Sequence, residues 1–133
     1  MTITNGEGMA AAESLTRAIA SRDRDAFDRI YDDDVVVWHN FSNRTQTKAQ
    51  NVDLLAKIFS VSSALEYQNI TRLPTPEGFV QYHDLTGTFT DGEPIPPVRA
   101  CIVATVQGGR IRRLNEWLDS AQFGEIWKRI RTL

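Results

Sequence analysis

Residues 98–118 read VRACIVATVQGGRIRRLNEWL. Val98, Ala100, Ile102, Ala104 and Val106 recur at every second position, the period of a strand whose even residues face a core. Gly108-Gly109 makes a tight turn, and Ile111–Leu118 forms the returning strand. Leu114, Glu116 and Leu118 share one face of it, so apolar neighbours carry Glu116 inward. Asn115 and Trp117 then face outward, beside Arg99 and Cys101 of the preceding strand.

Two further strands precede this hairpin. Phe79–Thr90 is long and ends at Asp91-Gly92, a hairpin signal, while prolines 94, 96 and 97 keep the next strand irregular at its start. One face of Phe79–Thr90 carries Phe79, Gln81, His83, Leu85 and Phe89; the other carries Val80, Tyr82, Asp84 and threonines. The first face is bulkier and apolar, so it turns to the core with His83; a one-residue bulge would bring in Tyr82 and Asp84 instead. Leu65–Leu73 is the earlier strand, with Leu65, Tyr67 and Leu73 on one face, and residues 74–78 form a turn.

Upstream the period is helical. Residues 1–8 read as a frayed arm, and Met9, Ala12, Leu15 and Ile19 mark a helix to about Ser21. Asp23 can cap a short second helix bearing Ala26, Phe27, Ile30 and Tyr31. An acidic turn, Asp32-Asp33-Asp34, leads into a strand over residues 35–40, where His39 shares a face with Val35 and Val37. After a polar loop at 41–46, Thr47 and Gln50 form a capping-box pattern ahead of Val52, Leu54, Leu55, Ile58 and Phe59. Asp119 and Gln122 repeat that pattern before a last helix with Phe123, Ile126, Trp127 and Ile130. Early helices and a late meander indicate an α+β fold. The expected form is a cone-shaped, curved, mixed or antiparallel sheet wrapped around three N-terminal helices with a C-terminal helix, as a single domain over residues 9–133.

Composition excludes several function classes. The 133 residues carry a net charge of −2, which argues against nucleic-acid and anionic-membrane partners. No apolar run approaches the ~20 residues of a membrane span, and Met1–Met9 lacks a signal-peptide core, so the expected compartment is the cytoplasm. Cys101 is the lone cysteine, and the two histidines give no metal-binding spacing, so neither disulfide nor metal site is expected. There is no phosphate-binding loop and no dinucleotide fingerprint, so no cofactor is expected.

Three titratable groups remain on inward faces of different strands: His39, His83 and Glu116. Imidazole titrates near neutrality, and a carboxylate beside it supplies the opposed tendency that acid–base chemistry needs. Val37, Tyr67, Ala100, Ile102, Leu114 and Leu118 are the expected lining of a pocket for a small apolar molecule. The outer sheet face, with Arg99, Cys101 and Trp117, is the expected contact of a homodimer.

The chain resembles the nuclear-transport-factor-2-like superfold in its ketosteroid-isomerase and SnoaL-like branch. The carrying features are Asp23-Arg24-Asp25-Ala26-Phe27 with Ile30-Tyr31, Asp33-Asp34-Val35, Trp38-His39-Asn40-Phe41, Gly109-Arg110-Ile111 and Leu114-Asn115-Glu116-Trp117-Leu118-Asp119. By that resemblance His39 falls where ketosteroid isomerases carry their aspartate base, and Leu15 where they carry an oxyanion-hole tyrosine. Glu116 matches a pocket carboxylate of limonene-epoxide hydrolases, with His83 and Leu85 in place of their arginine and second aspartate. The resemblance implies a cofactor-independent isomerase or dehydratase acting on a polyketide-, terpenoid- or steroid-like molecule. His39 would be the base, Glu116 its partner or the acid, and His83 the polariser. Water addition of the epoxide-hydrolase kind and a non-catalytic binding or dimerisation module are the alternatives.

Overall fold

The computed structural model describes residues 5–133. Helix α1 spans Asn5–Ser21, a 3-10 turn spans Arg24–Ala26, and α2 is the short Phe27–Ile30. The Asp23 carboxylate accepts from the Asp25 amide at 3.1 Å and caps that turn. Residues 5–8, expected in a loose arm, form the first turn of α1; residues 1–4 of that arm lie outside the described residues. The helix starts early because it is docked there. Gly8 is buried, and a Cβ on it would lie 2.5 Å from the Gly78 carbonyl oxygen.

Strands follow as β1 (Tyr31–His39) and β2 (Arg44–Gln46), then α3 (Lys48–Val61), β3 (Ser62–Pro74), β4 (Gly78–Phe89), β5 (Pro94–Gln107), β6 (Arg110–Leu118) and α4 (Gly124–Ile130). They form one sheet in the order β2-β1-β6-β5-β4-β3, with β1 and β6 parallel and every other pair antiparallel. The expected α+β architecture of a mixed sheet closed over helices is the one observed. No described helix is long and apolar enough to cross a membrane.

Four local readings are corrected. Asp32–Asp34 is not a turn but the bulged first half of β1, whose register with β6 shifts between Tyr31 and Val36. Lys48 holds Asp33 at 3.0 Å and keeps its carboxyl below the usual range, and no metal-binding cluster occurs among the described residues. The loop at 41–46 contains β2, which pairs with the end of β1. β5 begins at Pro94, earlier than its prolines suggested. β6 pairs only with residues 100–107, so Pro94–Pro97 lie beyond it, where a missing N–H on that side costs no ladder bond. Finally, the inner face of β3 changes parity. A bulge between Gln68 and Thr71, with Asn69 at φ 55°, leaves Leu65 and Tyr67 inside but turns Leu73 out to 53% exposure. Arg72 takes the inward place opposite Gln81.

The even positions of β5 from Val98 to Val106 are all buried, and Phe27, Phe79, Phe89 and Ile126 fill the centre of the core. The Thr47 capping box starts α3 as its sequence indicates, with the Gln50 amide 3.3 Å from Thr47 Oγ1 and the Thr47 amide 2.9 Å from Gln50 Oε1. The Asp119 box is only half made. Asp119 accepts from the Gln122 amide at 3.0 Å, but the Gln122 side chain accepts from the Arg99 amide at 2.8 Å.

Gly8 provides a test of the docking of α1. Alanine in place of a helical glycine ordinarily stabilises by about 1 kcal/mol. Gly8→Ala is expected to destabilise instead, by about 1–3 kcal/mol in urea denaturation, because α1 must move off β4. A stabilised variant would show that the contact yields.

Candidate active site

The parallel register of β1 on β6 sets Val37 opposite Leu114 and His39 opposite Glu116. The row continues through Ile102 on β5 and Gln81 on β4 to Arg72 on β3. Four polar side chains therefore lie on one line across the inner face, with Ile102 between two pairs. His83 stands two residues further along β4, on the same face.

These groups edge a cavity of about 70 Å³. His39, His83 and Glu116 all line it, together with Tyr67, Ala100 and Leu118. Val37, Ile102 and Leu114, expected as lining, do not reach it. They are 0%, 1% and 4% exposed and lie in the packed core. The opposite wall comes from α3 through Asn51, Leu54, Leu55, Ile58 and Phe59, with Phe41 and Phe123 at the α4 side. The α3 stripe was legible as a core face, but its role as a cavity wall depends on how the helix crosses the sheet.

His39 Nε2 lies 3.0 Å from Glu116 Oε1, and the two side chains are only 8% and 16% exposed. Asn40 secures the same edge: its Nδ2 donates to the Leu118 carbonyl at 3.0 Å, and its Oδ1 accepts from the Leu118 amide at 2.9 Å. Phe41 packs near the His39 ring and stacks on Phe123, with centroids 5.1 Å apart in both cases.

His83 sits in a different setting. Its Nδ1 is 2.9 Å from Gln81 Nε2, and Tyr67 stacks on its ring at 3.7 Å between centroids. Its Nε2 is buried without a hydrogen-bond partner. Gln81, fully buried, accepts from Arg72 Nε at 2.8 Å, and Arg72 also donates to Thr16 Oγ1 at 2.8 Å. Burial holds the His83 pKa below its usual value; Arg72 adds to that, while Glu116 and Asp84 oppose it. Burial likewise pushes the Tyr67 and Tyr31 phenols well up, with the Glu116 charge in the same direction, so both remain neutral. Tyr31 donates to Asn51 Oδ1 at 2.8 Å, which ties α3 to the base of β1.

Comparison with known proteins places this geometry. A family model described as a SnoaL-like domain matches residues 12–114. The chain belongs to the SnoaL-like family. No protein of curated function matches it. Among solved structures it is similar to a proposed isomerase from Bacillus subtilis, at 13% identity and a TM-score of 0.78 over 95% of this chain and 96% of that one. It is similar to a protein of ketosteroid isomerase-like fold from Catenulispora acidiphila, solved with trimethylamine, at 11% identity and a TM-score of 0.68 over 80% and 82%. It is also similar to an epoxide hydrolase from M. tuberculosis described as LEH-like, at 17% identity and 0.66 over 96% and 93%. Identities this low establish the fold, which this SnoaL-like chain shares, and leave activity to the site itself.

The depressed His83 pKa has a consequence for stability. The unfolded ring takes up a proton near pH 6.5, while the folded ring resists it. The unfolded state then binds more protons, so stability should fall as pH drops through 6.5 and continue to fall until the folded ring itself titrates. Urea denaturation between pH 7.5 and pH 5 (about neutrality to mild acid) should show a smaller decline in His83→Gln than in the wild type. Equal slopes would mean the ring is protonated as readily folded as unfolded.

Proposed function

We propose that this SnoaL-like protein is a cofactor-independent acid–base enzyme, of isomerase or dehydratase type, acting on a small, largely apolar molecule with a carbonyl group. Polyketide-, terpenoid- and steroid-like rings are the substrate classes that suit such a site. The observation that carries the reading is the convergence of His39, Glu116 and His83, from three strands, on one mainly apolar cavity.

In this reading the Glu116 carboxylate accepts from His39 Nε2–H. That leaves the lone pair on Nδ1 to remove a proton from the carbon beside the carbonyl, and the carboxylate stabilises the imidazolium that forms. His83 polarises the carbonyl oxygen and stabilises the enolate. Return of the proton to another carbon of the conjugated enolate gives isomerisation; transfer of that proton from the imidazolium to a β-hydroxyl group, which leaves as water, gives dehydration.

A non-catalytic association module is the second reading, favoured by the cavity's size: ligand sites commonly hold about 300–1,000 Å³. Two features weigh against it. An ionisable pair is held at 3.0 Å against the cavity, where apolar contacts would serve association as well, and Phe41 and Leu54 in the cavity wall are only partly buried.

Hydrogen exchange in deuterium oxide tests the reading without a known substrate. A panel of cyclic ketones incubated with the protein should gain deuterium beside the carbonyl, followed by mass spectrometry. His39→Ala should slow this exchange about 10²–10⁴-fold while the fold is retained. Exchange no faster than in buffer, or unaffected by the substitution, would remove the catalytic reading.

The outer sheet face supports a homodimer as the assembly. Tyr82, Cys101 and Trp117 lie in register across it, as do Leu73, Val80, Val103 and Asn115. Tyr82 and Trp117 are 50% and 44% exposed, and Trp38 packs edge-on against Trp117 at 5.1 Å. An aromatic strip of this kind is a surface that a second copy would cover. Sedimentation should give a dimer at micromolar concentration and a monomer for Trp117→Lys; a monomeric wild type would exclude it.

A further inference from the structure

Arg72 and Gln81 form a relay that ends on the catalytic face, and its direction follows from the donor inventory alone. Arginine can only donate hydrogen bonds. Arg72 Nε lies 2.8 Å from the Gln81 amide, so the amide presents its oxygen to Arg72 and its nitrogen to His83. An amide nitrogen likewise only donates. The His83 Nδ1 at 2.9 Å must therefore accept, and in the neutral ring the proton resides on Nε2. That nitrogen is the buried atom without a partner, on a ring that lines the cavity.

We propose that Arg72 and Gln81 are positioning residues that lock His83 as a neutral Nε2–H donor, so that the site takes molecules presenting an oxygen acceptor to this ring. This rests on the acid–base reading above and narrows it. His83 is the oxyanion donor and not a second base, and the ligand class is a ketone or other enolisable carbonyl compound. Imidazolium at this position would set Nδ1–H against the Gln81 N–H, so the relay disfavours the charged ring as well as the other tautomer. The surrounding charges are Arg72 on β3, Asp84 on the opposite face of β4 and Glu116 on β6, with the neutral phenol of Tyr67 stacked on the ring. Arg72 makes no ion pair with a carboxylate among the described residues, so its charge is directed into the relay.

The test reads the tautomer directly. Long-range proton–nitrogen spectra of the nitrogen-15-labelled protein, without ligand at neutral pH, report which ring nitrogens carry protons. The chain has two histidines, so His39→Gln assigns the remaining signals to His83. The expected result is Nε2 protonated and Nδ1 bare. A protonated Nδ1, in either the neutral or the charged ring, overturns the proposal. Gln81→Glu should reverse the pattern, because a carboxylate accepts from Nδ1–H; retention of a bare Nδ1 in the folded variant would also overturn it. Because Gln81 is fully buried, Arg72→Met supplies a milder variant, in which the amide is free to flip and both tautomers should appear. In the ketone exchange assay Gln81→Glu should lose about 10²-fold in kcat with a smaller change in KM, as for loss of an oxyanion donor, whereas Arg72→Met should lose only the share of rings in the other tautomer, about 2-fold. An inactive wild type with bare Nδ1 would remove the enzymatic reading and leave the relay standing. An active wild type with Nδ1 protonated would do the opposite.

Discussion

The parallel pairing of β1 with β6 is the constraint on which the molecule depends. Within the sheet it is the sole junction between the β1–β2 edge and the β3–β6 meander. Parallel neighbours need a long crossover, and here the crossover contains α3 and four strands, β2 to β5. The same connection therefore lays α3 across the inner face and makes it the far wall of the cavity. Register at this junction sets the chemistry. His39 meets Glu116 only because Val37 pairs with Leu114; a slip of one residue would send the carboxylate outward and bring Trp117 in. Asn40 guards that register by bonding both backbone groups of Leu118, acting as one more rung of the ladder.

Along the row that this pairing creates, charge is divided. Arg72, with Gln81 and His83, occupies the β3–β4 side, while Glu116 with His39 occupies the β6–β1 side. Ile102 lies between them and keeps the two networks from merging into a single ion pair. A carbonyl compound in the proposed site would then meet unlike ends: a donor with a fixed cation behind it for its oxygen, and a carboxylate-backed imidazole for its acidic C–H. Enolisation moves negative charge in that same direction, from the C–H toward the oxygen, so the arrangement favours the transition state over the ground state.

Much of this was legible in the sequence, for a physical reason. Period-two alternation in β4, β5 and β6 reports which side is buried, and it placed His83, Ala100 and Glu116 on the inner face. Capping chemistry located the starts of the helices at Asp23 and Thr47. Depth was not legible: Val37, Ile102 and Leu114 have the right parity, yet they lie under the core and not at the cavity, since alternation tells in from out and says nothing of distance along the cone. Arg72 was hidden for a different reason. The bulge at Asn69 shifts β3 by one residue, so a charged side chain takes a position that strict alternation gave to Leu73. An asparagine in a strand, bonded to Asp84 at 2.9 Å, was the one available signal.

The small cavity and the polar relay must be weighed together. A buried polar group without a partner costs about 1–3 kcal/mol, whereas replacing a whole buried polar network by apolar groups of similar shape can be close to neutral. A scaffold selected only for stability would therefore do as well with leucine at 81 and 83, and an apolar residue at 72 would relieve a partly buried guanidinium. The chain instead keeps three polar side chains in series and leaves the last nitrogen of the series unsatisfied. An oxygen acceptor entering the cavity would recover that cost, as the preorganised donor proposed above requires.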